Sequence, residues 1–274
     1  MLFKNPTLIV IPLSAEVRFE SFDLSREIWK SLEANNLSVE DGDIFVVSSK
    51  YAAISEGRMI ELSKISASKE ATTLGEKFRM EPSLAQLVID ESDTIFGGIP
   101  GFVLTMVKDT LAPNAGIDRS NVPNGWAIPY PKNPYETARN LRNSLLQQAN
   151  LRGEQSIVKN LGVLLSDSRV TPTRLGTVGV AVSHSGIRPT IDMRGKSDLC
   201  GNSLKVTLRA TADQLATAAQ LMMGEANEAR PVVLIRGFSE AFEEPRNEFE
   251  EKTTISPDQC LILRSLKNSE KLSA

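Results

Sequence analysis

Residues 157–183 read IVKNLGVLLSDSRVTPTRLGTVGVAVS. An apolar run rich in β-branched residues leads into an acid at Asp167. A polar, proline-containing link follows, and a second valine-rich run starts at Thr177. Both runs predict strands, and no helical pattern lies between them. The flanking chain repeats that irregularity. TLIVIP (7–12) predicts a buried strand, and residues 24–35 a helix with Asp23 or Ser25 as its cap. DGDIFVVSSKYAAISEG predicts a turn, a strand over about 43–48 and a polar exit. Two short helices are expected over 68–79 and 82–91, the second opened by Pro82. A strand is expected over 102–107, then a helix from the Asn133 cap to about 149. A second unit begins near 155. It continues with a helix over 211–223 and a strand at PVVLIRG (231–237). An acidic tail spans 240–254, with a short apolar helix at about 257–266 and a frayed end beyond. Strands and helices without regular alternation predict an α+β fold, not a doubly wound sheet.

At 274 residues the chain is long enough for a substantial core, and its 41% apolar and 24% charged content is that of a globular protein. A net charge of −3 gives no basic field for nucleic acid or an anionic membrane. Two cysteines, Cys200 and Cys260, make no disulfide scaffold and fit a reducing compartment. The apolar run near the start is too short for a secretion signal core or a membrane span, so a cytoplasmic protein is expected. His184 is the only histidine. Serine–histidine chemistry would all have to pass through it, and it reads more simply as a hydrogen-bonded or exposed loop residue. A metal here would be held by oxygen, which favours Mg²⁺ or Mn²⁺. No glycine-rich nucleotide fingerprint follows any strand.

Four polar clusters stand where regular elements should end: 48–58, 114–121, 166–176 and GEANE at 224–228. Asp118, Asp167, Glu225 and Glu228 could together bind hard cations, with Ser168 and Asn121 adding neutral oxygens. Glycines 116, 176 and 224 would let backbone approach a phosphate. Each acid also has a plainer reading as a turn or cap residue, and Gly224 as a left-handed helix cap. If the acids do cluster, removing one should leave the metal-free protein as stable as before, or more so.

NAGIDRSNV (114–122), LLSDSRVTPTRLGTVGVAVS (164–183) and LMMGEANEARPVVLIRG (221–237) together resemble the coenzyme F420-0:γ-glutamyl ligase family. IPLS (11–14), EDGDIFVVSSK (40–50) with SEGR (55–58), and KSDLCGNSLKVTLRATADQLA (196–216) fit in the same order, so the likeness spans about residues 8–238. The resemblance implies a two-lobed α+β fold and an intertwined homodimer. Its domain would cover 1–240, with lobes of about 1–152 and 153–240, followed by a charged extension over 241–274. It implies a GTP-dependent ligase that joins L-glutamate to a carboxylate of F420-0 or F420-1 through an acyl phosphate. By that pattern Asp118 and Asp167 are catalytic acids and metal ligands, and Ser168 and Glu225 are further ligands. Two Mg²⁺ or Mn²⁺ sites are implied, with K⁺ as a further candidate ion. Ile11, Pro12, Leu13, Ser14, Ser49, Lys50, Asn121 and Gly224, within the last segment 223–230, match nucleotide contacts.

The chain departs from that pattern twice. Ile54 stands where the family carries a lysine, and Val170-Thr171 stand in place of a Gly-Arg pair, flanked by Arg169 and Arg174. Lys50, four residues before Ile54, is the candidate replacement charge, reaching the site from another direction. The same chemistry on a folate or pterin acceptor, and a non-catalytic nucleotide-binding homologue, are the alternative expectations.

Overall fold

The computed structural model describes residues 7–152, 157–245 and 247–268. In chain order the strands and α-helices are β1 (Ile9–Leu13), α1 (Leu24–Ala34), β2 (Asp43–Ser48), α2 (Ser49–Ser55), β3 (Ile60–Glu61), α3 (Lys69–Phe78) and α4 (Pro82–Glu91). Next come β4 (Thr94–Ile99), β5 (Phe102–Val107), β6 (Thr110–Pro113), β7 (Trp126–Ala127) and α5 (Pro134–Arg152). The remainder is β8 (Leu161–Val170), β9 (Thr177–Ser185), β10 (Ile191–Asp192), β11 (Leu208–Arg209), α6 (Thr211–Met223), β12 (Val232–Arg236) and α7 (Leu261–Asn268).

The frame is a five-stranded mixed sheet in the order β1-β12-β2-β8-β9. Only β2 and β8 run parallel; the other neighbours are antiparallel. The fold is therefore mixed α+β. The sheet draws strands from both sides of the expected lobe boundary, and the boundary itself, at about 153–155, falls outside the described residues.

The three middle strands read as unbroken apolar runs because both their faces are covered. Phe45, Val47, Val163, Leu165, Val232 and Leu234 face one core, with Trp29 of α1 and Leu141 and Leu145 of α5. Ile44, Val46, Leu164, Val233 and Ile235 face the other, against the small residues Ala212, Ala216 and Ala219 of α6. The period of two along each strand sorts the side chains into these layers. Asp23, not Ser25, caps α1, accepting from the Arg26 amide at 3.0 Å. Asn133 caps α5 as expected, exchanging bonds with Glu136.

Three local expectations are corrected. The polar exit after β2 is the helix α2, which buries Tyr51 and Ala52 in the main core and Ala53 and Ile54 in a smaller cluster with Ile128. NAGIDRSN does not follow the 102–107 strand directly: that strand turns back into β6 first. Asp167 and Ser168 do not end their strand but lie within β8, opposite Val180 and Gly179. The start of the acidic extension packs against the domain. Ala241 is fully buried, its carbonyl accepts from the Arg188 amide at 2.7 Å, and the Lys252 carbonyl accepts from the Thr190 hydroxyl. Residues 269–274, where fraying was expected, lie outside the described residues. Among the described residues no helix is long and apolar enough to cross a membrane.

Candidate active site

Register places the site. Leu13 pairs with Val232, Val232 with Val47, Ser48 with Ser166, and Val170 with Thr177. One end of the sheet therefore gathers the C-terminal ends of β1, β2 and β8 and the N-terminal ends of β12 and β9. A cleft of about 890 Å³ opens there, lined by loop 15–19, the start of α2, residues 113–123, the end of β8 and the α6–β12 loop. Chain segments at the ends of a rigid sheet are where function is usually presented.

Asp118 is held by backbone and side chain. Its amide and carbonyl exchange 2.9 Å hydrogen bonds with Ile128. Oδ1 accepts from the Ser120 amide at 2.6 Å, and Oδ2 lies 2.9 Å from Lys50 Nζ. Burial pushes this carboxyl up, but Lys50 and the Ser120 bonds outweigh it and hold it below the ordinary aspartate range. The residues before it form a left-handed turn, with φ of +48° at Asn114, +56° at Ala115 and +69° at Gly116. Asn114 and Gly116 tolerate that conformation; Ala115 adopts it at a cost of roughly 1 kcal/mol. Asn121 reaches across the cleft, its Nδ2 donating to the Ala226 carbonyl at 2.6 Å.

β8 splits its polar residues between two faces. Ser168 faces α6, where its hydroxyl bonds Glu225 Oε2 at 3.0 Å and accepts from Gln220 Nε2 at 2.7 Å. Glu225 also accepts from Thr177 Oγ1 at 2.8 Å. Asp167 faces the other way, where Oδ2 accepts from Tyr130 Oη at 2.5 Å and from Arg169 Nε at 3.0 Å. The adjacent Asp167 and Ser168 therefore serve opposite sides of the strand, although both line the cleft. Gly224 ends α6 at φ +78° and ψ 179°, outside the left-handed helical cap expected from sequence. A Cβ on Gly224 would sit 2.2 Å from the Glu228 carboxyl carbon, so only glycine lets that side chain fold back to the Ala226 amide.

Of the residues expected at the site, Lys50, Asp118, Asn121, Asp167, Ser168, Gly224 and Glu225 all line the cleft. Ile11, Pro12, Leu13, Ser14 and Ser49 do not; their neighbours Ala15 and Ser48 do. Ile54 lines the cleft one turn after Lys50 on α2, packed with Ala53 and Ile128. Glycines 116 and 224 reach the cleft wall and Gly176 does not. His184 lies outside the lining, within β9. Tyr130, Gln220 and Thr177 carried no signal in the sequence. Arg169 did: strand alternation puts it on the same face as Asp167 once both lie inside β8.

Among the described residues, no group of three or more Asp, Glu, His or Cys side chains is arranged to hold a metal. The acids do not crowd one another; each has its own partner, so the expected relief of repulsion on deleting one does not apply. The donor chemistry nonetheless fits a hard cation. The site offers carboxylates and hydroxyls, and Asp167 Oδ1 accepts no hydrogen bond from the described residues. Five carboxylates line the cleft (Glu16, Asp118, Asp167, Glu225, Glu228) against three cations (Arg18, Lys50, Arg230). A polyphosphate would meet net repulsion there unless further positive charge came with it.

A family model described as F420-0:Gamma-glutamyl ligase matches residues 16–237. The chain is similar to the coenzyme F420:L-glutamate ligase of Methanopyrus kandleri, 36% identical over 247 residues covering 88% of this chain and 92% of the relative. The protein of the same description from Methanocaldococcus jannaschii is 38% identical, covering 82% of this chain and 90% of the relative. That from Methanothermobacter thermautotrophicus is 36% identical, covering 79% and 83%.

Proposed function

The chain belongs to the F420-0:γ-glutamyl ligase family, and on that premise we propose that it joins L-glutamate to a carboxylate of coenzyme F420-0 or F420-1 at the cleft described above, using GTP and divalent cations. The observation that carries this reading is the gathering of Asp118, Asp167, Ser168 and Glu225 on the wall of one cleft with an excess of carboxylates. These four residues would hold Mg²⁺ or Mn²⁺. When bound, such cations neutralise phosphate charge and favour transfer of a phosphoryl group.

The reaction needs two steps. The γ-phosphoryl group of GTP passes to the acceptor carboxylate, leaving GDP and an acyl phosphate. The amine of glutamate then attacks the acyl carbon, phosphate leaves, the nitrogen loses a proton, and an amide remains. The chain's part is to bind and orient. Asn121 ties the loop bearing Asp118 to the loop bearing Glu225, so the two acids keep their spacing. Lys50 is the cation nearest Asp118 and takes the place, on the same side of α2, of the lysine absent at Ile54. The apolar wall, which includes Val17, Phe19, Ile54 and Phe102, suits a flat aromatic acceptor.

We also propose a homodimer. Phe96, Ile99 and Leu104, on the small antiparallel sheet β4-β5-β6, are solvent-exposed, and a second copy would cover them. Sedimentation should report a dimer, and charges placed at Ile99 and Phe96 should dissociate it.

The test of the function is product formation. F420-0, L-glutamate, GTP and Mn²⁺ are incubated with the protein, and the acceptor is examined for the mass of an added glutamyl residue. Thermal unfolding with Mn²⁺ and GDP, GTP or ATP runs beside it. Saturating a native-state site at a hundred times its Kd raises stability by about 2.7 kcal/mol. Absence of both product and a metal-dependent nucleotide shift would remove the ligase reading; a shift without product would direct the search to folate acceptors.

A further inference from the structure

Everything that holds the Asp167 carboxylate acts on one of its oxygens. Tyr130 Oη donates to Oδ2 at 2.5 Å and Arg169 Nε to the same atom at 3.0 Å. Arg169 Nη2 donates to Tyr130 Oη at 2.5 Å, and Nη1 donates to the Leu111 carbonyl. Tyr130 and Arg169 are each only 6% exposed. Arg169 spends all three guanidinium nitrogens inside the protein and does not line the cleft, so it is no phosphate ligand in this arrangement. Oδ1, by contrast, has no hydrogen-bond partner among the described residues, and Asp167 lines the cleft.

The same segment fixes the other acid. Ile128 holds the Asp118 backbone with two hydrogen bonds, and Tyr130 follows two residues later. The fit is closed from the Asp118 side as well. A Cβ on Gly116 would lie 2.1 Å from the Tyr130 ring, so the glycine two residues before Asp118 exists to let that ring lie across the loop. Residues 128–130 thus link the two acids rigidly although they sit 49 positions apart in the chain.

We propose that Tyr130 and Arg169 are positioning residues of the ligase: they anchor Asp167 by Oδ2, leave Oδ1 for cation ligation, and with Ile128 set its distance from Asp118. This rests on the cation-dependent reading of the cleft. Partners that orient a ligand without touching the metal typically change affinity or activity by 10–100-fold.

The test measures binding of MnCl₂ alone to the full chain, by the electron paramagnetic resonance signal of free Mn²⁺, and then steady-state ligation. Tyr130→Phe should weaken Mn²⁺ binding about tenfold and lower kcat by a similar factor, with KM for the acceptor nearly unchanged. Arg169→Lys should retain more Mn²⁺ affinity than Arg169→Met at matched folding, judged by cooperative urea unfolding. Should Tyr130→Phe fold poorly, the two Arg169 variants carry the comparison. Asp167→Asn is the control. If it abolishes Mn²⁺ binding while Tyr130→Phe and Arg169→Lys match the wild type, the positioning role is overturned and the cation site stands. If Asp167→Asn leaves Mn²⁺ binding intact, the cation reading fails at Asp167 and the positioning role falls with it.

Discussion

Lys50 Nζ lies 2.9 Å from Asp118 Oδ2, so a protein cation occupies the carboxylate that is proposed to ligate a metal. Lys50 also donates to Ser120 Oγ at 3.0 Å. The pair is only partly buried, which limits its worth to about 0.5–1 kcal/mol. Lys50→Met should lower stability by that amount without metal. It should also bind Mn²⁺ more tightly, by about fivefold for a competitor worth about 1 kcal/mol. The sign with pH is defined. Asp118 titrates below the ordinary aspartate range in the folded protein, so its contribution is present above the unfolded value and is lost as pH falls through the folded one. The difference between wild type and variant should be full at neutral pH and fade only in strong acid, as Asp118 takes up its proton in the fold. Unfolding in urea, with and without MnCl₂, measures both effects. Weaker Mn²⁺ binding in the variant would show that Lys50 assists the ion and does not compete with it.

Asp167→Ala should destabilise the metal-free protein. Arg169 is buried, and the substitution strips its carboxylate while leaving the guanidinium in place. Breaking a buried pair from one side costs about 3–5 kcal/mol, and the lower end applies because Asp167 reaches the cleft. Adding Arg169→Met to Asp167→Ala should recover part of the loss. Urea midpoints of the two variants decide it; an Asp167→Ala protein as stable as wild type would mean Arg169 finds solvent or another acceptor.

The parts of the fold legible in sequence are those whose burial is uniform. Ile44–Val47 and Val232–Ile235 are covered on both faces, so they stand out as apolar runs. TIFGGI, β4, did not read as a strand because its glycines lower strand propensity and its pairing with β5 is irregular at Ile95–Gly97. SSKYAAIS hid a helix because its first turn is polar and its apolar side is short. At the site, Asp118, Asn121, Asp167 and Glu225 stand out as polar residues clustered at the expected ends of elements, and the family's motifs contain them too. The partners of Asp167 do not stand out, because Tyr130 is 37 positions away and nothing local marks AIPYP as part of the site. Arg169 was within reach of strand periodicity, but placing Asp167 at a strand end removed the alternation that pairs them.

Arg236→Met should be among the most damaging single changes outside the cleft. Asp43 is 1% exposed and accepts from Arg236 Nε at 2.7 Å and Nη2 at 3.1 Å, beneath the start of β2. Burial pushes the Asp43 carboxyl up even with Arg236 beside it. Without the guanidinium, an uncompensated buried charge costs about 3–5 kcal/mol at neutral pH. A carboxyl whose folded value is raised prefers its neutral form in the fold, so the deficit should shrink as pH falls and Asp43 takes up a proton. Urea unfolding of both proteins at neutral and mildly acid pH tests this; a deficit that grows in acid would contradict it.

His184 gives the clearest pH signature because it is the only histidine. It lies on β9 opposite Leu164, with the Tyr135 ring edge-on at 5.5 Å, and its buried Nε2 has no hydrogen-bond partner. Burial pushes its pKa down from 6.5 to about 4. The unfolded chain takes up a proton near 6.5 and the fold resists it, so stability is full above that value and is lost as pH falls toward 4. Each unit of that interval is worth about 1.4 kcal/mol, so from pH 7 to pH 5 the loss should be about 2 kcal/mol, at a pH where most carboxylates remain ionised. His184→Phe should flatten that part of the profile. The single imidazole Cε1–H resonance should stay unshifted down to about pH 5; a midpoint near 6.5 would mean that the ring reaches water and that the slope belongs to other groups.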